Sequence, residues 1–203
     1  MAAIPLMLDL KNKKAVVVGG GKIAERRVRT LLSSEADIKV ISPALTSSLT
    51  TLYQDGKLDW HEKSFSAEDL QNAFLIVAAT NDSEVNRAII ESAPQNVLLN
   101  SVEDAAAGNI QFPTQFSRGK LSISVSTNGS SPILAAKIKR DLAVQYDEKY
   151  EDYLDFLFEA RQLIKRSSLS TEKKKQWLRR LVDEDHFHPE DQEFVLEQLN
   201  NIQ

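Results

Sequence analysis

The feature that most constrains the fold is a glycine loop set between an apolar run and a helical pattern. Val16-Val-Val-Gly-Gly-Gly-Lys-Ile-Ala24 reads as a strand that leads through G-x-G-x-x-A into a helix. In this context the pattern is the fingerprint of a dinucleotide-binding unit. Gly19 allows the tight turn, Gly21 lets the backbone approach a pyrophosphate, and Ala24 keeps the helix close to the strand. The alternative is a glycine turn that binds no ligand.

The free N–H groups at the start of such a helix, together with the helix dipole, favour a bound phosphate. The residues predicted to contact the dinucleotide here are Gly19, Gly20, Gly21, Lys22, Ile23 and Ala24.

Strand and helix patterns alternate through the first 112 residues. Strands are predicted at 14–18, 38–42, 74–79 and 97–100, and helices at 22–34, 44–54 and 84–93. This alternation indicates right-handed crossovers and a parallel sheet. Apolar runs without polar alternation are typical of strands covered on both faces. We therefore predict an α/β fold, a Rossmann-type doubly wound parallel sheet, over residues 1–112.

The remainder of the chain changes character twice. Over 113–146, Leu121, Ile123 and Val125 alternate with serines, which predicts a half-buried strand with one serine-lined face. Ser131-Pro132 then supplies a helix cap and a first helical proline. This region is predicted to be small and of α+β type.

From residue 147 onward the pattern is helical, with helices expected over about 150–164, 171–183 and 189–202. The predicted organisation is thus a dinucleotide-binding domain (1–112), a small α+β region (113–146) and a helical C-terminal domain (147–203).

Composition excludes several classes of function. The 25 Lys and Arg residues against 29 Asp and Glu give a net charge of -4, so no nucleic-acid partner is expected. The absence of cysteine excludes disulfides, thiolate metal sites and cysteine nucleophiles, and suits a reducing compartment. The N-terminus lacks a signal-peptide pattern, and no apolar stretch approaches the roughly 18 residues of a membrane helix. We expect a cytoplasmic protein with no membrane partner.

The second predicted strand ends in Ile41-Ser-Pro-Ala44, where an acid that binds the ribose is usual about 20 residues past the glycines. Ser42 could bond a ribose hydroxyl, and the backbone of Pro43 and Ala44 could line the adenosine pocket. Because no arginine stands there to bind a 2′-phosphate, we favour NAD over NADP.

Thr80, Asn81 and Asp82 follow the apolar strand at 74–79. Ligands of open parallel sheets bind beyond the carboxyl ends of the strands, so Thr80 and Asn81 are predicted to border the nicotinamide. A simple turn is the alternative.

Three segments together resemble the precorrin-2 dehydrogenase family, which includes the N-terminal part of siroheme synthase. They are Val17-Val-Gly-Gly-Gly-Lys-Ile-Ala-Glu-Arg-Arg27, Val77-Ala-Ala-Thr-Asn-Asp82 with Val85-Asn86, and Ser124-Val-Ser-Thr-Asn-Gly-Ser-Ser-Pro132. The last is the most specific. The resemblance covers about residues 3–146, and the helical tail resembles the extended, single-function members.

This resemblance implies an enzyme that uses NAD to oxidise precorrin-2 to sirohydrochlorin in siroheme biosynthesis. It also implies a homodimer in which residues 113–146 form the dimerisation region. Some relatives also insert ferrous iron into the product.

The resemblance further implies catalytic residues. The family has an Asn-x-x-Asp acid after the strand that ends here at Asn100, where this chain has Glu103 followed by Asp104. Either carboxylate could accept a proton or fix pyrrole N–H groups, or both could belong to a solvated loop. Given this departure, we expect dehydrogenase activity with weak or absent iron chelation. Ser126 matches a serine near the substrate, although it could equally be part of a polar strand face.

The implied substrate carries eight carboxylates, so its pocket should be locally basic. Candidate partners, which could instead be solvated, are Arg118, Lys120, Lys137, Lys139 and Arg140. We interpret His186 and His188 as surface residues and predict no metal site. The aromatic residues between Tyr146 and Phe158 are interpreted as packing.

Two rival hypotheses remain. One is a sirohydrochlorin ferrochelatase, alone or combined with the dehydrogenase, and the other is a non-enzymatic NAD(H) sensor whose tail binds a partner protein.

Overall fold

The computed structural model describes residues 4–183 and 186–202. The chain divides into two compact units, Met1–Phe112 and Pro113–Gln203. Each unit has its own hydrophobic core.

The first unit is a five-stranded parallel sheet with helices on both faces. Its strands are β1 (Lys14–Val18), β2 (Asp37–Ile41), β3 (Asp59–His61), β4 (Leu75–Ala78) and β5 (Leu98–Ser101). Its helices are α1 (Lys22–Leu32), α2 (Ser47–Gln54), a 3₁₀ helix (Ala67–Leu70) and α3 (Ser83–Ser92). The strand order is β3-β2-β1-β4-β5, and all pairs are parallel. The predicted doubly wound fold is confirmed.

Successive residues of the central strands pack on opposite faces of the sheet. Val17 and Val77 pack with α1 and α2, whereas Val16 and Ile76 pack with α3. These four side chains are fully buried. Full burial of such side chains stabilises a fold by about 1.5–3 kcal/mol each. Because both faces are covered, the strands are continuous apolar runs, as predicted.

The strand order creates a crevice at one edge of the sheet. β2 and β4 lie on opposite sides of β1, so the connections that leave β1 and β4 diverge. Such a switch point is where open α/β sheets bind ligands. The strand ends are tied together, since Gly19 N donates to Ile41 O and Ala79 N donates to Val18 O, both at 2.9 Å.

The second unit begins with an antiparallel pair, β6 (Thr114–Arg118) and β7 (Leu121–Val125), on which α4 (Pro132–Gln145) packs. As predicted, Leu121, Ile123 and Val125 are half-buried and the alternate serines are exposed. Ser131 caps α4 by accepting a hydrogen bond from Leu134 N at 3.1 Å, with proline next, which confirms the predicted helix start.

Three further helices complete this unit: α5 (Lys149–Arg166), α6 (Thr171–Asp183) and α7 (Pro189–Asn200). Their core contains Phe156, Ala160, Ile164 and Leu199. No described helix is long and apolar enough to cross a membrane.

Two strands and the 3₁₀ helix were not predicted from the sequence. β3 is the short, polar segment Asp59–His61, held by pairing with β2 and by Trp60 Nε1, which donates to Ser42 O at 3.0 Å. β6 is mostly polar, and its partner β7 determines its conformation. Neither segment has an apolar run that would predict a strand.

Candidate functional site

An open cleft of about 780 Å³ lies beyond the carboxyl ends of β1 and β4 in the first unit. Four loops build it: the glycine loop after β1, the loop after β2, the segment after β3, and the loop between β4 and α3. Lining residues that the sequence predicted are Gly19, Gly20, Gly21, Lys22, Ile23, Ser42, Pro43, Ala44, Thr80 and Asn81. The structure therefore brings together residues up to 62 positions apart in the chain, from Gly19 to Asn81.

The three glycines of the loop have different surroundings. Gly19 has φ +124°, and a Cβ there would lie 2.3 Å from Ala79 O. At Gly20 a Cβ would lie 1.9 Å from Ala44 O. At Gly21 no heavy atom lies within 4 Å of the Cβ position. Close packing of the protein thus requires the first two glycines, whereas the third borders open space into which a ligand fits.

The N-terminus of α1 faces the same space. Gly21 is its N-cap, and no side chain caps the helix. Its first-turn N–H groups are therefore available to an anion, and the helix dipole adds to the attraction. Lys22 and Ile23 line the cleft, whereas Ala24 is fully buried beneath it. The free N–H groups of α1 and the open space beside Gly21 therefore suit a pyrophosphate.

The loop after β2 folds against the glycine loop. Ser42 is buried, and its hydroxyl donates to Ala44 O at 2.7 Å. Thr46 N donates to Gly20 O at 2.9 Å, and Thr46 Oγ1 donates to Glu25 Oε2 at 2.8 Å. The hydrogen bond from Thr46 is the main cause that lowers the pKa of Glu25. Ser42 thus shapes the loop, and its contact with a ribose stays a prediction.

Sequence reasoning missed the cleft residues that follow β3, which are Lys63, Ser64 and Phe65. Lys63 Nζ lies 2.8 Å from Oδ1 of the buried Asp69. Burial raises the pKa of Asp69, but hydrogen bonds from Lys63 and Ser66 outweigh it and hold that pKa below its usual value. Residues that directly follow a strand of a parallel sheet are expected to border its cleft. This signal could not be used for Lys63, Ser64 and Phe65, because β3 itself was not predicted.

The loop between β4 and α3 has two roles. Thr80, Asn81 and Asp82 line the cleft. Asp82 also caps α3 by accepting from Glu84 N at 2.9 Å and Val85 N at 3.2 Å. This loop is therefore both a turn that caps α3 and a wall of the cleft. Its contact with a nicotinamide stays a prediction.

Asn86 connects this loop to the candidate acid Glu103. Its side chain is buried, and its Oδ1 accepts from Thr80 N at 3.2 Å and from Thr80 Oγ1 at 2.8 Å. Its Nδ2 donates to Thr80 O at 3.1 Å and to Glu103 Oε2 at 2.8 Å. All the polar atoms of this amide are used, so Asn86 fixes the position of the loop.

Glu103 and Asp104 follow β5 and do not line the cleft. Ser83 Oγ donates to Glu103 Oε1 at 2.6 Å, and this bond together with that from Asn86 lowers the pKa of Glu103. The other carboxylate, on Asp104, is exposed and accepts from Ala106 N at 2.8 Å. Glu103 is thus linked to the cleft loop at Thr80 through the side chain of Asn86.

Ser126 lies in the second unit, exposed just after β7. Its Oγ accepts from Asn128 N at 3.1 Å in a turn. Its role near a substrate stays a prediction.

Three of the five basic candidates in the second unit have acidic partners. Arg118 lies 3.5 Å from Glu148, Lys137 lies 2.8 Å from Asp141, and Lys120 pairs with Asp155. Within the described residues, Lys139 and Arg140 form no ion pair.

The interpretation of His186 as a surface residue was wrong. His186 is only 7% exposed, and its ring centroid lies 5.7 Å from that of Phe156 in the aromatic core of the second unit. His188, in contrast, is exposed at the start of α7. The described residues contain no group of three or more side chains that could hold a metal ion.

The aromatic residues of α5 divide between packing and exposure. Tyr153 and Phe156 are buried, and Tyr150 packs against this cluster, as interpreted. Phe158 is 51% exposed, with Lys120 Nζ 5.1 Å from its ring centroid.

Three family models match successive parts of the chain. Residues 6–114 match the model described as "Putative NAD(P)-binding", residues 118–145 match the central region of sirohaem biosynthesis proteins, and residues 150–193 match the SirC C-terminal domain.

Similar proteins agree with these matches. The precorrin-2 dehydrogenase of Priestia megaterium is 41% identical over 89% of this chain and 90% of its own. That of Bacillus subtilis (strain 168) is 38% identical over 79% of this chain and 95% of its own. A solved structure named SirC, precorrin-2 dehydrogenase, covers 98% of this chain and 100% of its own with 39% identity and a TM-score of 0.86. This chain belongs to the precorrin-2 dehydrogenase family.

Proposed function

We propose that this protein oxidises precorrin-2 to sirohydrochlorin with NAD⁺ as the hydride acceptor. The proposal is carried by the sequence similarity to precorrin-2 dehydrogenases together with the geometry of the cleft. The relatives named precorrin-2 dehydrogenase match nearly the whole chain, and the first unit has an open cleft at its switch point. The cytoplasmic location stays a prediction.

A dinucleotide fits the residues of the cleft. The open space at Gly21 and the uncapped start of α1 would hold the pyrophosphate. Ser42, Pro43 and Ala44 would lie toward the adenosine. Bound there, NAD⁺ supplies the hydride acceptor, and the protein contributes mainly orientation.

The proposed preference for NAD over NADP rests on the absence of an arginine directly after β2 and on the pairing of one nearby lysine with an acid. Lys63 is a cation on the side of the β2 and β3 loops, where the adenosine ribose is proposed to lie. Its ammonium group lies 2.8 Å from the carboxylate of Asp69. This carboxylate, which Lys39 also approaches at 3.5 Å, partly offsets the attraction that Lys63 would have for a 2′-phosphate.

The oxidation also releases a proton, for which Asp104 is the better acceptor of the two candidate acids. Both oxygens of Glu103 already accept hydrogen bonds, from Ser83 and Asn86, whereas among the described residues only Oδ1 of Asp104 accepts one. We assign Glu103 a positioning role through Asn86 and the Thr80 loop. Ser126 is proposed to contact the tetrapyrrole.

We also propose that residues 113–146 form the interface of a homodimer and that 147–203 form a helical domain. In α4, Ile133 and Val144 are 82% and 81% exposed. Apolar side chains exposed at this level on one helix are typical of an interface. The double variant Ile133→Glu, Val144→Glu should be monomeric by light scattering, whereas the wild type should be dimeric.

The test of the activity is anaerobic incubation of the protein with precorrin-2 and NAD⁺, followed by the NADH absorbance and the sirohydrochlorin spectrum. Equal amounts of NADH and sirohydrochlorin are expected, with slower turnover on NADP⁺. Ferrous iron is added afterwards in a separate reaction, where metallation faster than without protein would indicate a ferrochelatase. Binding of NADH without any turnover would contradict the proposal and favour the sensor hypothesis.

A further inference from the structure

Arg27 is a half-buried cation in α1 that has no acidic partner among residues 4–183 and 186–202. Its Nε is buried and has no hydrogen-bond partner among the described residues. Within the same part of the chain, no carboxylate forms an ion pair with its guanidinium. The guanidinium carbon lies 4.7 Å from the ring centroid of Phe112. Burial lowers the pKa of Arg27, and the charge of Arg26 adds to this effect.

Arg27 lacks, among the described residues, the anionic partner that a half-buried charge commonly has. Partly buried charges are normally paired, because removal from water is costly without a compensating partner. The acid on the same helix is already engaged, since Glu25 accepts from Arg29 at 3.2 Å and from Thr46. The face of Phe112 attracts a cation but cannot accept its N–H groups as a carboxylate does.

Arg27 does not itself line the cleft but lies one turn of α1 from a residue that does. It follows Ile23 by four residues on α1, so the two side chains share one face of the helix. Ile23 lines the cleft and is 46% exposed. Phe112 belongs to the segment that follows β5 and packs on the same side of the sheet as α1. The pair therefore stands next to the α1 side of the cleft.

We propose that Arg27, stacked on Phe112, is a subsite for one carboxylate of the tetrapyrrole substrate. This inference rests on the proposed function, which brings a polycarboxylate to this cleft. A guanidinium can bind a carboxylate through two parallel hydrogen bonds, and the ring of Phe112 lies against the guanidinium carbon at 4.7 Å. The substrate thus supplies the anion that the protein lacks at this position.

The experiment compares Arg27→Gln and Arg27→Lys in the full-length protein with Arg26→Gln, a matched change of the exposed neighbour. Arg27→Gln should raise KM for precorrin-2 by about tenfold or more, with NADH binding within about twofold of wild type. The KM of Arg27→Lys should lie between those of the wild type and Arg27→Gln, since lysine keeps the positive charge but cannot form two parallel hydrogen bonds to a carboxylate. Arg26→Gln should behave as the wild type.

A second readout separates the subsite from the activity. Binding of sirohydrochlorin, which needs no turnover, is measured from its absorbance change, and Arg27→Gln should weaken it by a similar factor. If the wild type binds sirohydrochlorin but oxidises no precorrin-2, a loss of binding in Arg27→Gln would still support the subsite while the proposed function fails. Unchanged KM and unchanged binding in Arg27→Gln would overturn the subsite.

Two further outcomes would also overturn it. Loss of NADH binding together with a lower melting temperature in Arg27→Gln and Arg27→Lys would assign Arg27 a structural role. A change of oligomeric state in Arg27→Gln would assign its partner carboxylate to a second copy of the chain.

Discussion

At the scale of single residues, the space around two neighbouring glycines separates folding from binding. A Cβ at Gly20 would lie 1.9 Å from Ala44 O, a backbone atom that cannot move aside alone. We expect Gly20→Ala to destabilise the protein by about 1–3 kcal/mol. At Gly21, with φ -84°, the Cβ would meet no atom. We expect Gly21→Ala to change stability by less than about 1 kcal/mol.

The same Gly21→Ala change should nevertheless weaken NADH binding by about tenfold or more, because the methyl group occupies the space proposed for the pyrophosphate. Urea unfolding and a fluorescence titration with NADH measure the two effects. Wild-type affinity in a folded Gly21→Ala protein would show that the pyrophosphate does not approach this residue.

Asn86 allows a test of the network behind the cleft. Asn86→Asp keeps an acceptor for Thr80 N but removes the donor to Thr80 O and Glu103 and places two carboxylates together. It should lower the free energy of unfolding by about 1–3 kcal/mol and weaken NADH binding. Glu103→Gln added to Asn86→Asp restores a donor and acceptor pair, so it should recover part of both losses. Additive losses in this double variant, measured by urea unfolding and NADH titration, would contradict the network.

Which site residues could be predicted depended on how local their arrangement is. Gly19 to Ile23 form one continuous turn, so their motif already contains the geometry. Lys63 could not be found in this way, because it enters the cleft through pairing of β3 with β2. The link from Asn86 to Glu103 spans 17 residues and depends on two elements that meet only in the folded sheet.

At the scale of elements, Asp69 ties the 3₁₀ helix to its surroundings. It accepts from Ser66 N at 2.9 Å, and it pairs with Lys63 at 2.8 Å and Lys39 at 3.5 Å. Because the folded pKa of Asp69 lies below its usual value, its stabilisation is present above the unfolded pKa and is lost as pH falls through the folded pKa.

Asp69→Asn should therefore cost about 2–4 kcal/mol at neutral pH, since two lysines lose their partner. The difference from wild type should stay constant down to about pH 5 and narrow below about pH 4. Urea unfolding of both proteins across this range measures it, with Asp55→Asn, an exposed acid without an ion pair among the described residues, as the control. A difference that does not change with pH would mean that the carboxylate charge of Asp69 contributes nothing.

The elements themselves were predictable where burial leaves a pattern in the sequence. β1 and β4 are buried on both faces and appear as apolar runs, and α4 begins at a capping serine and a proline. β3 and β6 have no such signal, because each takes its strand conformation from the neighbour with which it pairs.

At the scale of the whole molecule, the residues proposed to act in the reaction are distributed over two units, each with its own hydrophobic core. All residues that line the cleft belong to Met1–Phe112, and so do Glu103 and Asp104, whereas Ser126 belongs to Pro113–Gln203. The sequence indicated this change of character near residue 112, but the packing of α4 with the β6–β7 pair required the structure.

A fragment of residues 1–112 should therefore bind NADH with an affinity within about tenfold of the full chain, because it contains the whole cleft and a core on both faces of the sheet. It should not oxidise precorrin-2, since it lacks Ser126 and the proposed dimer interface. NADH at about 100 times its dissociation constant should raise the unfolding free energy of the fragment by about 2.7 kcal/mol, measured by urea unfolding. The Gly21→Ala form of the fragment is the matched control and should show little stabilisation by NADH. A folded fragment that binds no NADH would mean that the second unit supplies part of the dinucleotide site.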